Sequence, residues 1–241
     1  MKYKEIRENY QSNVAILTLV DRYCMCLSPF LTKIFVRKNI IPNDVTLLMI
    51  ISGLIGGILF LINNIYIKII GVIFIHLWYI LDCSDGEVAR ITKKFSKFGK
   101  ELDYIAHTVN HPVFFLSYAI TLYQNSFLNP IYVLMSFFIL CVLDMINRQI
   151  LTINIIYELK IPSTDNSGIK GDYSKLQLIK SHVMMFIGAL PNFALIFPVI
   201  YIIDSLIGTD ISTVYLLFEV ILLFICILNN VIKLILKIKN K

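Results

Sequence analysis

The stretch Leu81–Pro112 carries Asp82, Asp85, Glu87, Arg90, Glu101, Asp103 and His107 inside a chain that is otherwise mostly apolar. At the angular step of an α-helix, Asp82, Asp85, Gly86, Ala89 and Arg90 fall within about 140° of one face. Gly99, Asp103 and His107 recur every four residues and line one face of a second helix. Two antiparallel helices joined by the short connection 92–98 would bring these faces together. A carboxylate at membrane depth costs roughly 2.5–3.5 kcal/mol and ordinarily faces a partner or a wet cavity. Three converging carboxylates repel one another unless a cation sits between them. Hard oxygen ligands in that arrangement suit magnesium or manganese. A divalent ion beside Arg90, with glycines that let a ligand approach the backbone, suits a diphosphate. The competing reading leaves the acids in headgroup water, paired with the nearby lysines.

The elements that must position these residues are helices in a bilayer. The chain is 57% hydrophobic with a mean hydropathy of +0.75. Charged residues make up 16%, against roughly 25% in an average soluble domain. Several apolar runs reach the length of about 20 residues that crosses the hydrocarbon core. Spans are expected at 45–63, 66–91, 99–122, 128–156, 178–203 and 212–236. From Val14 to Lys38 apolar residues recur at helical spacing, but Asp21, Arg22, Lys33 and Arg37 interrupt them, as in a helix lying along the membrane surface. The expected fold is therefore an all-α integral membrane protein, six transmembrane helices preceded by an N-terminal amphipathic interfacial helix. Residues 1–40 form the N-terminal cytoplasmic segment and that helix, and 41–241 form the transmembrane domain. Pro42 and Asn43 suit the start of the first span, and 162–168 (PSTDNSG) is the one long polar connection. Ser52, Gly53, Gly56 and Gly57 permit close helix packing, within the chain or in a homodimer.

Placing both termini in the cytoplasm leaves only Lys68, of the 22 lysines and arginines, on the other side. That bias orients a multi-pass protein of the cell membrane, with the acids at the cytoplasmic ends of the second and third spans. The net charge of +6 then reflects orientation and contact with anionic lipid, not nucleic acid. The first ten residues are mixed in charge and are followed by no signal-peptide pattern. The five cysteines form no CxxC pair and read as apolar packing residues.

The pattern Asp82-x-x-Asp85-Gly86-x-x-Ala89-Arg90, then Gly99-x-x-x-Asp103-x-x-x-His107, resembles the signature of the CDP-alcohol phosphotransferases, matching seven of its eight fixed positions with the right gaps. The resemblance implies six core membrane helices behind an amphipathic helix. It implies transfer of a substituted phosphate from a CDP-alcohol to the hydroxyl of an acceptor, with release of CMP. Asp82, Asp85 and Asp103 would then hold one or two magnesium or manganese ions on the CDP diphosphate. Gly86, Ala89, Arg90 and Gly99 would shape and contact the nucleotide site, and Ser96 falls where some members have a serine that touches the donor. The segment Pro42–Thr46, through Asn43 and Thr46, is similar to one that lines the CMP pocket, and it reads equally as a helix cap. The compact six-span layout resembles enzymes that use CDP-diacylglycerol to make phospholipids. A CDP-linked amino alcohol or polyol is the other donor class, and a scaffold or transporter that lost turnover is the non-enzyme alternative.

The departure is at position 107, where the resemblance implies an aspartate acting as base and metal ligand. His107 is expected to be the catalytic base, its imidazole titrating near neutrality. It could instead ligate a metal softer than magnesium, or mark an impaired site. Among the other polar residues, Asp144 and Arg148 stand one turn apart and either neutralise each other or offer Arg148 to an acceptor. Lys180 and His182 suit interface anchoring or the lining of the same pocket, and His111 a packed position one turn beyond His107. His76 suits a helix–helix hydrogen bond, Pro191 and Pro198 suit kinks in the fifth span, and Glu219 has no evident partner.

Overall fold

The structure is a computed structural model that describes residues 2–11, 19–123, 126–156 and 190–239. Its described elements are all helices: α1 (Tyr3–Asn9), α2 (Leu19–Arg37), α3 (Pro42–Leu61), α4 (Ile65–Thr92), α5 (Gly99–Tyr123), α6 (Pro130–Ile156), α7 (Leu190–Ile207) and α8 (Ile211–Lys239). They fall into two compact units, one running to Thr121 and one beginning at Leu122.

Local chemistry sets the helix ends in the first unit. Pro42 occupies the first turn of α3, where its missing N–H costs nothing. Asn64 caps α4 by accepting hydrogen bonds from the backbone N–H groups of Tyr66 and Ile67 at 3.0 and 3.3 Å. Lys93 ends α4 in the left-handed conformation, φ 55°, and turns the chain into α5. The small residues of α3 are spent inside the chain. A Cβ at Gly56 would lie 2.8 Å from Ile75, one at Gly57 2.7 Å from Val113, and one at Gly53 2.6 Å from the Asn110 carboxamide. Ser52 donates to the Phe74 carbonyl at 2.9 Å. These contacts favour the intramolecular use of the small-residue stripe. Around them Met49, Phe60, Ile75, Trp78, Phe114 and Tyr118 form a fully buried core.

Helix α2 covers the described part of the expected surface helix 14–38 and shows which of its residues look inward. Val20, Cys24, Ser28, Thr32 and Phe35 are buried, whereas Leu27, Phe30 and Ile34 are exposed. The expected apolar stripe is thus divided, because small and hydroxyl side chains let α2 lie close against α4 and leave large apolar ones to face outward. His76 brings a correction: its Nδ1 donates to the Val72 carbonyl of its own helix at 2.8 Å. The carbonyl one turn back is the nearest acceptor, and the ring is left to stack on Tyr23 at 5.9 Å.

In the second unit the turn between α7 and α8 is tied by Asp204. Its carboxylate accepts from the Thr209 hydroxyl and from the Ser212 backbone N–H, both at 2.6 Å, around Gly208 at φ +78°. Asp144 and Arg148 form an ion pair at 3.3 Å on α6, the neutralising arrangement. Phe137, Phe193 and Phe197 pack as an aromatic cluster. Glu219 on α8 is fully buried, and neither carboxylate oxygen has a hydrogen-bond partner among the described residues. Pro198 lies inside α7.

Four described stretches are long and apolar enough to cross a membrane: Pro42–Leu61, Ile65–Thr92, Pro130–Ile150 and Ile211–Leu236. Together with the shorter apolar Asn192–Ile207 they make this an all-helical multi-pass membrane protein. Helix α5 coincides with the expected third span but stands outside that set, since charges at its start and His107, Asn110 and His111 in its middle dilute it. The expected fifth span is described from Leu190 onward. The connection 162–168, Lys180 and His182 lie outside the described residues.

Candidate active site

The last three turns of α4 and the first turns of α5 carry the acidic residues, and the connection between them is short enough to set these faces against each other. His107 Nε2 lies 3.2 Å from Asp82 Oδ1 on the opposite helix and 3.5 Å from Asp103 Oδ1 one turn back on its own. One ligand-capable atom from each of Asp82, Asp103 and His107 lies within 4.8 Å of the others. The sequence spacing of four between 103 and 107 produces half of this cluster, and the helix pairing supplies the rest.

The donor set fits a divalent ion. Ligands about 2.1 Å from a magnesium or manganese ion stand no more than about 4.2 Å apart, close to the spread seen here. Two carboxylate oxygens and an imidazole nitrogen form a mixed set, which manganese accepts more readily than magnesium. The Asp103 side chain is 46% exposed, whereas those of Asp82 and His107 are 21% and 15% exposed, so the cluster opens on one side only. Asp85 stands outside the cluster. Its Oδ2 accepts a hydrogen bond from the Thr46 hydroxyl at 2.7 Å, which ties α4 to the first turn of α3.

The remaining expected residues gather nearby in two groups. Asn43 donates through Nδ2 to the Ser96 hydroxyl oxygen at 3.1 Å. A Cβ on Gly99 would meet Ser96 at 3.5 Å and Asn43 at 4.0 Å. Asn43, Ser96 and Gly99 therefore share one polar corner where α3 begins and the α4–α5 connection passes. In the second group, a Cβ on Gly86 would approach Arg90 Nη1 and Nη2 at 3.0 and 3.2 Å. The guanidinium thus folds back over the bare backbone of Gly86, and any larger residue there would displace it. Arg90 Nε donates to the Tyr10 carbonyl oxygen. Ala89 is half-buried.

The fold adds residues to which spacing assigned no role. Trp78, one turn before Asp82, is fully buried and meets the rings of His107 and His111 edge to face at 5.3 and 5.5 Å. His111 is buried as a packed histidine, with its ring 5.4 Å from that of His107. His107 Nδ1 and Trp78 Nε1 are buried without a hydrogen-bond partner among the described residues. Glu87, on the opposite face of α4 from Asp85, is 1% exposed and accepts from Ser28, Thr32 and Gln11. The available signal was the pair of hydroxyls one turn apart, Ser28 and Thr32, in the stretch between Arg22 and Lys33, which is otherwise mostly apolar.

No curated protein sequence matches the chain significantly. The family model for CDP-alcohol phosphatidyltransferase matches residues 39–231, a range that includes α3 to α7, most of α8 and every expected site residue. The family transfers a substituted phosphate from a CDP-alcohol to an alcohol and is generally dependent on a divalent metal. The match covers well over half of the chain, which keeps seven of the eight signature positions and departs at His107, and the chain belongs to the CDP-alcohol phosphatidyltransferase family.

Proposed function

We propose that this protein transfers a phosphatidyl group from CDP-diacylglycerol to the hydroxyl of a polar alcohol, at a site open to the cytoplasmic leaflet of the cell membrane. The observation that carries the reading is the convergence of Asp82, Asp103 and His107 within 4.8 Å, beside an Asp85 oriented by Thr46. Asp82, Asp85 and Asp103 would hold magnesium or manganese. When bound, such an ion withdraws charge from phosphorus and from the departing CMP. Arg90, laid over Gly86, presents its terminal N–H groups to phosphate oxygens in the fork geometry that phosphate binding favours. Ala89 leaves room between this group and Asn43, Thr46, Ser96 and Gly99, which shape the cytidine end of the site.

In the transfer step a P–O bond forms to the acceptor oxygen, and the bond between the two phosphates of the donor breaks. CMP leaves with the bonding pair, and the acceptor's proton passes to His107. Nε2 of His107 could take this proton only when Asp82 and Asp103 turn to the ion and no longer accept its own N–H. A second reading, in which Nε2 ligates the ion instead, is favoured by its place within the cluster. One nitrogen cannot do both, so His107→Ala separates them. Loss of the base lowers kcat and leaves the metal requirement alone, and loss of a ligand raises the metal concentration needed. Six spans, with the polar α5 among them, and cytoplasmic termini complete the proposed topology.

The test is CMP release by the full-length protein in lipid, with and without magnesium or manganese. CDP-diacylglycerol and CDP-ethanolamine are each supplied with a pool of alcohol and lipid acceptors, and Asp85→Asn serves as the control. Metal-dependent release from CDP-diacylglycerol that disappears in Asp85→Asn supports the reading. Release from CDP-ethanolamine alone moves the protein to the small-alcohol class, and release from neither leaves a non-catalytic role.

A further inference from the structure

The residues before the matched segment make polar contacts with the motif helix that a mere leader would not. Glu87 lies between Gly86 and Ala89 of the signature, yet three side chains that donate to it, Gln11, Ser28 and Thr32, all precede residue 39. Ser28 Oγ and Gln11 Nε2 donate to Oε1 at 2.5 and 2.8 Å, and Thr32 Oγ1 donates to Oε2 at 2.6 Å. A carboxylate accepts all three without a donor of its own, which a glutamine at 87 could not match. The same segment is fastened along α2. The Tyr3 hydroxyl donates to the Cys26 carbonyl at 2.9 Å, its ring lies 5.0 Å from Phe30, and Gln11 also donates to the Met25 carbonyl. Next to Gln11, the Tyr10 carbonyl accepts a hydrogen bond from Arg90 Nε–H.

We infer that residues 3–11 are a strap belonging to the donor site, and that Gln11 and Glu87 are positioning residues that act through Arg90. With Nε committed to the Tyr10 carbonyl, the guanidinium has one orientation, and its two terminal nitrogens lie over Gly86. A long, flexible cation held this way before the donor arrives loses less freedom on binding a diphosphate. Glu87 is the fixed point: it holds α2 through Ser28 and Thr32, and holds the strap through Gln11. The inference rests on the proposed contact between Arg90 and the donor phosphates.

The test uses the full-length protein in detergent with magnesium and CDP as the probe, comparing wild type, Gln11→Leu, Arg90→Ala and the double variant. Gln11 is chosen because its loss leaves the α2–α4 contacts through Ser28 and Thr32 in place. Gln11→Leu is expected to speed amide hydrogen exchange across residues 3–11 and to weaken CDP binding about fivefold, the scale of immobilising one long side chain. In the Arg90→Ala background the same change should alter CDP affinity no further, the signature of two residues that act through one contact. Faster exchange with unchanged CDP affinity overturns the inference and leaves the proposed function standing. So does an additive loss in the double variant, or exchange that does not change. A wild type that binds no CDP removes the proposed function and the inference with it.

Discussion

The helix pair α4–α5 holds charged side chains at both of its ends, and the two ends are built in opposite ways. At one end Lys68, only 4% exposed, donates to the Phe60 carbonyl at 2.7 Å and to the Thr121 hydroxyl at 3.2 Å, with its ammonium 5.0 Å from the Phe60 ring centroid. The cation is enclosed by dipoles and a π-face, and the contact pins α3, α4 and α5 together. At the other end Asp82, Asp103 and His107 crowd one another, Asp103 is half exposed, and His107 Nδ1 has no partner among the described residues. A satisfied buried charge is a fastening. Two carboxylates that share one imidazole, with one open side, are arranged for a component that arrives from outside.

The sharpest test of that contrast is Asp82→Asn. Turnover is expected to fall by about 1,000-fold, some 4 kcal/mol, as for loss of a group that stabilises transition-state charge. The melting temperature should hold or rise, because one repelling carboxylate is gone. CMP release and thermal unfolding on the same samples measure both, and a parallel fall in the two would break the comparison.

His107→Ala follows, with turnover lower by about 100-fold, in the range for removal of a positioned acid–base group. A manganese titration of the variant shows whether affinity for the ion also drops, which would make His107 a ligand. Lys68→Met reverses the pattern. It should cost about 2 kcal/mol of stability by leaving polar partners unpaired, which lowers the melting temperature by roughly 4–8 °C in a chain of this size. Turnover below the transition should stay within about twofold, the change expected of a substitution that never touches the site. The smallest effect is that of Thr46→Val, which releases Asp85 from one hydrogen bond. Turnover should drop about fivefold, or roughly 1 kcal/mol, with a melting shift too small to separate from wild type.

Much of this site was legible before any coordinates. The spacings of three and four between 82, 85, 86, 89 and 90, and again among 99, 103 and 107, select helix faces whatever the rest of the chain does. The apolar runs select long helices, since only internally bonded backbone survives in lipid. Other features resisted. The apolar positions of α2 suggested a surface helix but not which side of it meets protein: Ser28 and Thr32 point in, and Leu27, Phe30 and Ile34 point out. In a soluble protein the apolar face would be the buried one. Beside a bilayer both faces can be apolar, and hydropathy alone no longer says which one meets protein.

What the sequence by itself determined is therefore local: where helices run, which residues share a face, and that carboxylates at 82, 85 and 103 needed a cation or water. Those follow from helical geometry and from the cost of charge in hydrocarbon. Only the tertiary structure decided which faces meet. It set Asp82 against His107, gave Asp85 to Thr46, turned Glu87 to three donors from the N-terminal segment and closed Lys68 inside a cage of dipoles. Partners separated by 39 to 76 positions, as Thr46 is from Asp85 and Gln11 from Glu87, are chosen by packing among several helices at once. No periodicity within one helix carries that information.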